Sequence, residues 1–130
     1  MPATQRQKLG LEHGQRVRLD CAPSEWHLAD GYDDLELVPA DSDPGTADLT
    51  IAFVPGAADL QVRLAALVAG IRPDAVLWLL WPRRAGGHTS DLTDQVVRTI
   101  VLPTGLVDNK VAAVDDDWSG LRFVWRRSRR

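Results

Sequence analysis

Cysteine is almost absent from this chain of 130 residues: Cys21 stands alone. No internal disulfide can form, which suits a reducing compartment. Long apolar runs are missing as well. The longest, Ala75–Trp81, falls far short of the roughly 20 residues that cross a bilayer. The opening MPATQRQKLG holds no apolar segment, so no secretory signal is expected. Positive charge is not in excess. Fifteen Lys and Arg against eighteen Asp and Glu leave a net charge of -3, and no global field would draw nucleic acid. The three histidines, His13, His27 and His88, lack metal-ligand spacing, and no metal site is expected. A phosphate-binding glycine loop, a GxGxxG fingerprint and a Ser–His–Asp arrangement are all missing, so nucleotide hydrolysis and acyl transfer have no support. The expectation is a cytoplasmic protein with neither membrane nor nucleic acid as partner.

What remains is an ordinary folded composition, 45% hydrophobic and 25% charged. The length suits one domain over residues 1–130, with flexible ends at 1–7 and 127–130. Acids crowd Asp30–Asp48 and Asp115–Asp117, and both groups read as solvated. Arg126, Arg127, Arg129 and Arg130 read as a solvated tail.

Hydrophobic periodicity supplies the elements. Lys8–Gly14 is a turn or short helix. Gln15–Asp20 alternates, with Val17 and Leu19 on one face and Arg16 and Arg18 on the other, which predicts a half-covered strand. Pro23 and Ser24 would start a short helix over Glu25–Ala29. Leu35–Val38 and Leu49–Val54 read as strands, with a loop over Ala40–Ala47 between them. Ala57–Ala69 is an amphipathic helix, with Leu60, Leu64, Leu67 and Val68 inward and Gln61 and Arg63 outward. Val76–Trp81 is a buried strand. Leu92–Leu102 is a helix capped by Ser90 or Asp91, with Leu92, Val96, Val97 and Ile100 inward. Leu106–Val114 and Leu121–Arg126 form a hairpin around Asp115–Gly120, with Gly120 taking an unusual backbone angle. Alternating strands and helices predict a three-layer α/β fold: a mostly parallel twisted sheet, helices on both faces, and a C-terminal antiparallel hairpin.

Ligands of such sheets bind at strand carboxyl ends. Two loops would meet there. One carries Asp20, Cys21, Ala22, Pro23 and Ser24. The other carries Trp81, Arg83, Arg84, Gly86, Gly87 and His88 ahead of a helix N-terminus, where exposed amides and two guanidiniums favour an anion. A reactive Cys21 would need a cationic neighbour, and a buried inert thiol is the simpler expectation. His27 is the partner it would have to recruit. Trp78 and Trp81 should face opposite sides of their strand. Trp81 would offer a ring at the strand end for stacking.

The layout resembles a reduced S-adenosylmethionine-dependent methyltransferase, in which the last strand inserts antiparallel beside its neighbour. The phrases KLGLEHGQRV (Lys8–Val17), the Ala22–Pro23 turn, LWLLWPRRAGGHTSDLT (Leu77–Thr93) and GLVDNKVAAVDDDWSGLRF (Gly105–Phe123) resemble a family of short bacterial proteins of unknown function. That resemblance implies the fold and carries no established activity. The chain departs from such enzymes after its first strand. Asp20-Cys21-Ala22-Pro23-Ser24 has no glycine to let a cofactor approach the backbone, and Pro23 removes an amide donor. The reading taken is a degenerate, non-catalytic domain that needs no cofactor and binds a small anionic ligand or a protein partner. The alternatives are a minimal methyltransferase using S-adenosylmethionine, and an interaction protein that forms a homodimer.

Overall fold

The computed structural model describes residues 4–28, 33–39 and 43–127. Its centre is a six-stranded sheet in the order β2-β1-β3-β4-β6-β5. The strands are β1 (Arg16–Asp20), β2 (Glu36–Val38), β3 (Leu49–Phe53), β4 (Val76–Pro82), β5 (Leu106–Ala113) and β6 (Trp118–Trp125). Neighbours from β2 to β4 pair in parallel. β6 then lies antiparallel between β4 and β5. This is the mostly parallel sheet with a closing hairpin that the alternation of elements predicts.

Two apolar clusters sandwich the sheet. Leu77, Leu79 and Trp81 of β4 point to one, with Leu121 and Phe123 of β6. Two helices cover that face: α2 (Ala57–Ala69) through Leu60 and Leu67, and α3 (Asp94–Val101) through Val97 and Val101. Val76, Trp78 and Leu80 point to the other face, so Trp78 and Trp81 do take opposite sides. This second face has little helix. The five-residue α1 (Gln5–Leu9) supplies Leu9, and the segment after β1 supplies Leu28 and Trp26. Trp78 is fully buried there and donates its indole N–H to the Leu9 carbonyl at 2.9 Å. α1 is closed by a reciprocal cap at its start, since Thr4 accepts from the Gln7 amide and Gln7 accepts from the Thr4 amide. The helix thus starts at Gln5, three residues before the Lys8–Gly14 segment in which a turn or short helix is expected.

Local departures have physical causes. Residues 24–25 form only a turn, so the helix expected from Glu25 does not appear through Leu28, and Ala29 lies outside the described residues. The chain there must cross the open face of the sheet and place Trp26 and Leu28 in it. β6 begins at Trp118, three residues earlier than expected, because Trp118 and Ser119 pair with Pro82 and Trp81. Gly120 does not take a left-handed angle. It sits opposite Leu80, and a Cβ there would lie 3.0 Å from the Trp78 ring and 3.1 Å from Leu80 Cδ1. The glycine makes room for an indole.

Gly120→Ala is therefore expected to overpack the centre of the sheet and cost about 1–3 kcal/mol. Urea unfolding of the variant against the parent chain reads this as a lower midpoint at unchanged slope.

Candidate functional site

The strand order reverses between β1 and β3, because the chain goes outward from β1 to β2 and then returns to β3. Ligands of open α/β sheets bind outside the carboxyl ends at such a point. Here the point is filled by the chain's own charges. Asp20 ends β1 on the α2 face. Its carboxylate pairs with Arg18 at 2.9 Å and with Arg63 of α2 at 2.5 Å. Arg63 also reaches Asp59 at 2.6 Å and donates to the Phe53 carbonyl at the end of β3, at 2.7 Å. Arg63 therefore turns inward and staples β1, β3 and α2 together. It does not point outward as the helical pattern suggests. Burial alone would push the Asp20 carboxyl up. Hydrogen bonds from Arg63 and the Cys21 thiol, with the charges of Arg63 and Arg18, outweigh it and hold the carboxyl below its ordinary range. A cavity of about 120 Å³ remains beside this network, between Arg18, Asp20, Arg63, Ala66 and Leu67.

The α2 N-terminus opens on the same point, and it too is taken. Asp91 accepts a hydrogen bond from the Ala57 amide at 2.9 Å. Asp91 thus caps α2, whose own N-cap residue, Gly56, brings no side chain to the task. The cap of α3 is Thr93, which accepts from the Val96 amide, and Ser90 instead donates to the Pro55 carbonyl. The expected cap at Ser90 or Asp91 fails because both residues are spent tying the 88–93 loop to the start of α2.

Cys21 follows Asp20 with a φ of 56°, the left-handed region that favours glycine. The turn after β1 does require a glycine-like backbone, and a cysteine supplies it at a strain of order 1–3 kcal/mol. The thiol is exposed, which corrects the expected buried cysteine. Partial desolvation and its bond to the Asp20 carboxylate push the thiol up, away from the thiolate form, against the opposing charge of Arg63. His27 faces the Glu25 carbonyl at 3.3 Å rather than serving Cys21.

The remaining candidates gather at the carboxyl end of β4, on opposite faces of the sheet. On the α3 face a shallow cleft of about 450 Å³ is lined by Trp81, Arg83, Arg84, Leu92, Asp94 and Val111, among others. Trp81 is only 5% exposed and forms apolar floor, not an open stacking platform. On the other face a cleft of about 280 Å³ runs between Pro23 and His88. The two loops do approach each other, therefore, with Pro23 and His88 in one cleft and the arginines in the other. Ala22 packs on the apolar cluster of the second face, and the Ser24 hydroxyl donates to Glu25. Gly86 is pressed onto the turn between β5 and β6, where a Cβ would meet the Asp116 carbonyl oxygen at 2.1 Å. Gly87 closes the same loop. The Arg83 amide donates to the Asp117 carbonyl at 2.8 Å, and His88 Nε2 lies 2.9 Å from Asp117 Oδ1. The acidic turn thus holds the arginine loop in place.

Arg63 and Asp59 were not foreseen as part of this site, and Asp91 was expected to cap the helix that follows it, not α2. A signal existed for Arg63: Arg18 and Asp20 share one strand face, and Asp59 sits one helical turn before Arg63. Among the described residues no group of acids, histidines and cysteine could hold a metal ion, and no helix is long and apolar enough to cross a membrane.

Solved structures share this architecture. A fibrillarin from a fibrillarin/Nop5p complex matches with a TM-score of 0.54 and 12% identity, over 88% of this chain and 74% of that one. A Methanococcus jannaschii fibrillarin, described as a pre-rRNA processing protein, matches with a TM-score of 0.50 and 10% identity, over 88% of this chain and 67% of that one. At such identity the likeness shows the fold, which is methyltransferase-like, and nothing of the chemistry. No family model and no curated protein matches the chain, so the resemblance to a bacterial family has no support from them.

Asp20→Asn would leave Arg18 and Arg63 facing a neutral amide in a site where the Asp20 side chain is 15% exposed. The expected cost at neutral pH is about 2–3 kcal/mol. Because folding lowers the Asp20 pKa, its stabilisation is full above the ordinary carboxyl value of about 3.9 and is lost as pH falls through the lower folded value. Unfolding midpoints of parent and variant should differ at pH 7 and converge below about pH 4. A gap that stays constant on acidification would contradict the pairing.

Proposed function

We propose that this chain is a non-catalytic, methyltransferase-like binding domain. Its ligand is a small anion with an apolar body, held in the α3-face cleft. The observation that carries the first half is the state of Asp20. An acid that would accept hydrogen bonds from a cofactor is already bound by two guanidiniums, and the neighbouring helix amides by Asp91. Displacing Arg63 would leave a charge unpaired in a half-dry site, at a cost of several kcal/mol. The second half rests on Arg83 and Arg84. Both line the cleft, and no acid pairs with either among the described residues. Asp94 is occupied by Arg98 at 3.0 Å. Leu92 and Val111 offer apolar contact beside two free forks suited to carboxylate or phosphate. A minimal methyltransferase is the second reading, favoured by the likeness of fold to the two fibrillarins.

One pair of measurements separates the readings. Calorimetric titration with S-adenosylmethionine and with its demethylated product should give a flat trace. Phosphate and aliphatic carboxylates should raise the melting temperature, by about 4 °C at tenfold excess over the dissociation constant. Changing both Arg83 and Arg84 to Ala should remove that rise while leaving the ligand-free melting temperature nearly unaltered. Saturable heat from the cofactor would establish the methyltransferase reading, and an undiminished anion response in the double variant would remove the cleft from consideration.

A further inference from the structure

The cleft on the opposite face carries acids where the first carries arginines. It is lined by Trp26 and Trp118, Pro23 and Pro82, Glu25 and Asp117, and His88. The two indoles are fixed. Each meets Phe53 edge to face, with centroids 4.8 Å and 5.0 Å apart. Trp26 spends its N–H on Asp115 at 3.0 Å, and the Trp118 amide is held by the same carboxylate at 2.9 Å. One aspartate thus locks both aromatic walls. Glu25 lines the same cleft from the segment after β1; its carboxylate accepts from the Ser24 hydroxyl, and among the described residues no cation neutralises it. Asp117 Oδ1 lies 2.9 Å from His88 Nε2.

We propose that this cleft is a cage for an alkylammonium group. Ring faces carry a negative quadrupole that attracts a cation and repels an anion, and paired tryptophans are the strongest such walls. The Glu25 carboxylate, which no cation neutralises among the described residues, adds charge complementarity and draws the cation in. Size narrows the choice of ligand. Pockets for whole drug-sized molecules run from about 300 to 1,000 Å³, and this cleft of about 280 Å³ lies just below that range. It suits one methylated ammonium headgroup and its stem. Lysine-like side chains and free quaternary amines present the same chemistry. The site is independent of the anion cleft, since the sheet separates them and only Pro82 borders both.

The test uses the indole N–H signals of the nitrogen-15-labelled full chain, with the Trp26 signal assigned through Trp26→Phe. Tetramethylammonium chloride, a short peptide bearing trimethyl-lysine, and sodium chloride at matched ionic strength are titrated in turn. A saturable shift of the Trp26 and Trp118 signals with either organic cation, and none with sodium, is the expected result. Tighter binding of the peptide identifies a partner's side chain as the source, and tighter binding of the small cation identifies a free amine. Glu25→Gln, a surface change, should weaken the titration about fivefold. A response equal to that of sodium, or unaltered affinity in Glu25→Gln, would overturn the cage. Neither result depends on Arg83 or Arg84.

Discussion

β4 must be covered on both faces, and among the described residues the longer helices all lie on one. That imbalance organises the rest. Every residue from Val76 to Trp81 is buried, so a parallel strand of this kind demands apolar cover above and below. α2 and α3 provide it on one side. On the other, a five-residue helix and the segment after β1 bring Leu9, Leu28 and Trp26, and the sheet's own large rings, Trp78, Phe53 and Trp118, fill much of the remaining space. An indole buries up to about 250 Å², so a few rings replace a missing helix at small cost in chain length. The same substitution leaves polar edges and irregular gaps, which helices would have closed. The indole N–H groups then need partners, and find them in the Leu9 carbonyl and the Asp115 carboxylate.

The edge of the sheet shows the same shortage. Between β1 and β2 no helix appears among the described residues, and α2 shelters the polar face of β1. Arg18 and Asp20 lie on that face, with side chains 10% and 15% exposed. Charges so placed persist only when paired and hydrogen-bonded. Arg63 supplies the pairing from across the crevice and ties the ends of β1 and β3 in doing so. The crevice is closed by the same contacts that make a thin layer stable.

Periodicity made most of the fold legible. Ala57–Ala69 is helical over the span its leucines indicate, and the alternating Trp78 and Trp81 take opposite faces. Capping was misjudged, since Ser90 and Asp91 look like local caps for the helix that follows them, yet bond to Pro55 and Ala57 more than thirty positions earlier. Sequence spacing records which residues are near along a helix. It carries nothing about a helix brought alongside by the sheet. Gly120 illustrates the same limit: a glycine in a turn region suggests backbone freedom, whereas its role is the space it leaves for Trp78 across the strand pair. The candidate site was legible as a region and not as a constellation. The loops after β1 and β4 do approach each other, but Pro23 and His88 line one cleft while Arg83 and Arg84 line the other, and these residues lie past the strand ends, where no periodicity announces a face.

A shared fold transmits positions, and chemistry depends on which atoms at those positions are still available. The strand ends and the α2 N-terminus here coincide with the place where open α/β sheets meet ligands. For a carboxylate to hold a ligand's hydroxyls, its lone pairs must be free or cheaply freed. Asp20 gives one oxygen to Arg18 and the other to Arg63, and Arg63 is itself anchored by Asp59 and by the β3 backbone. Freeing Asp20 therefore unfastens two strands and a helix at once, which couples any ligand entry at the crevice to loss of tertiary structure. The clefts flanking Pro82 carry no such coupling. Their charged groups face solvent, and their apolar walls are already held from beneath. A ligand there would leave the contacts between β1, β3 and α2 in place, and for a domain of marginal stability that difference favours these clefts over the crevice.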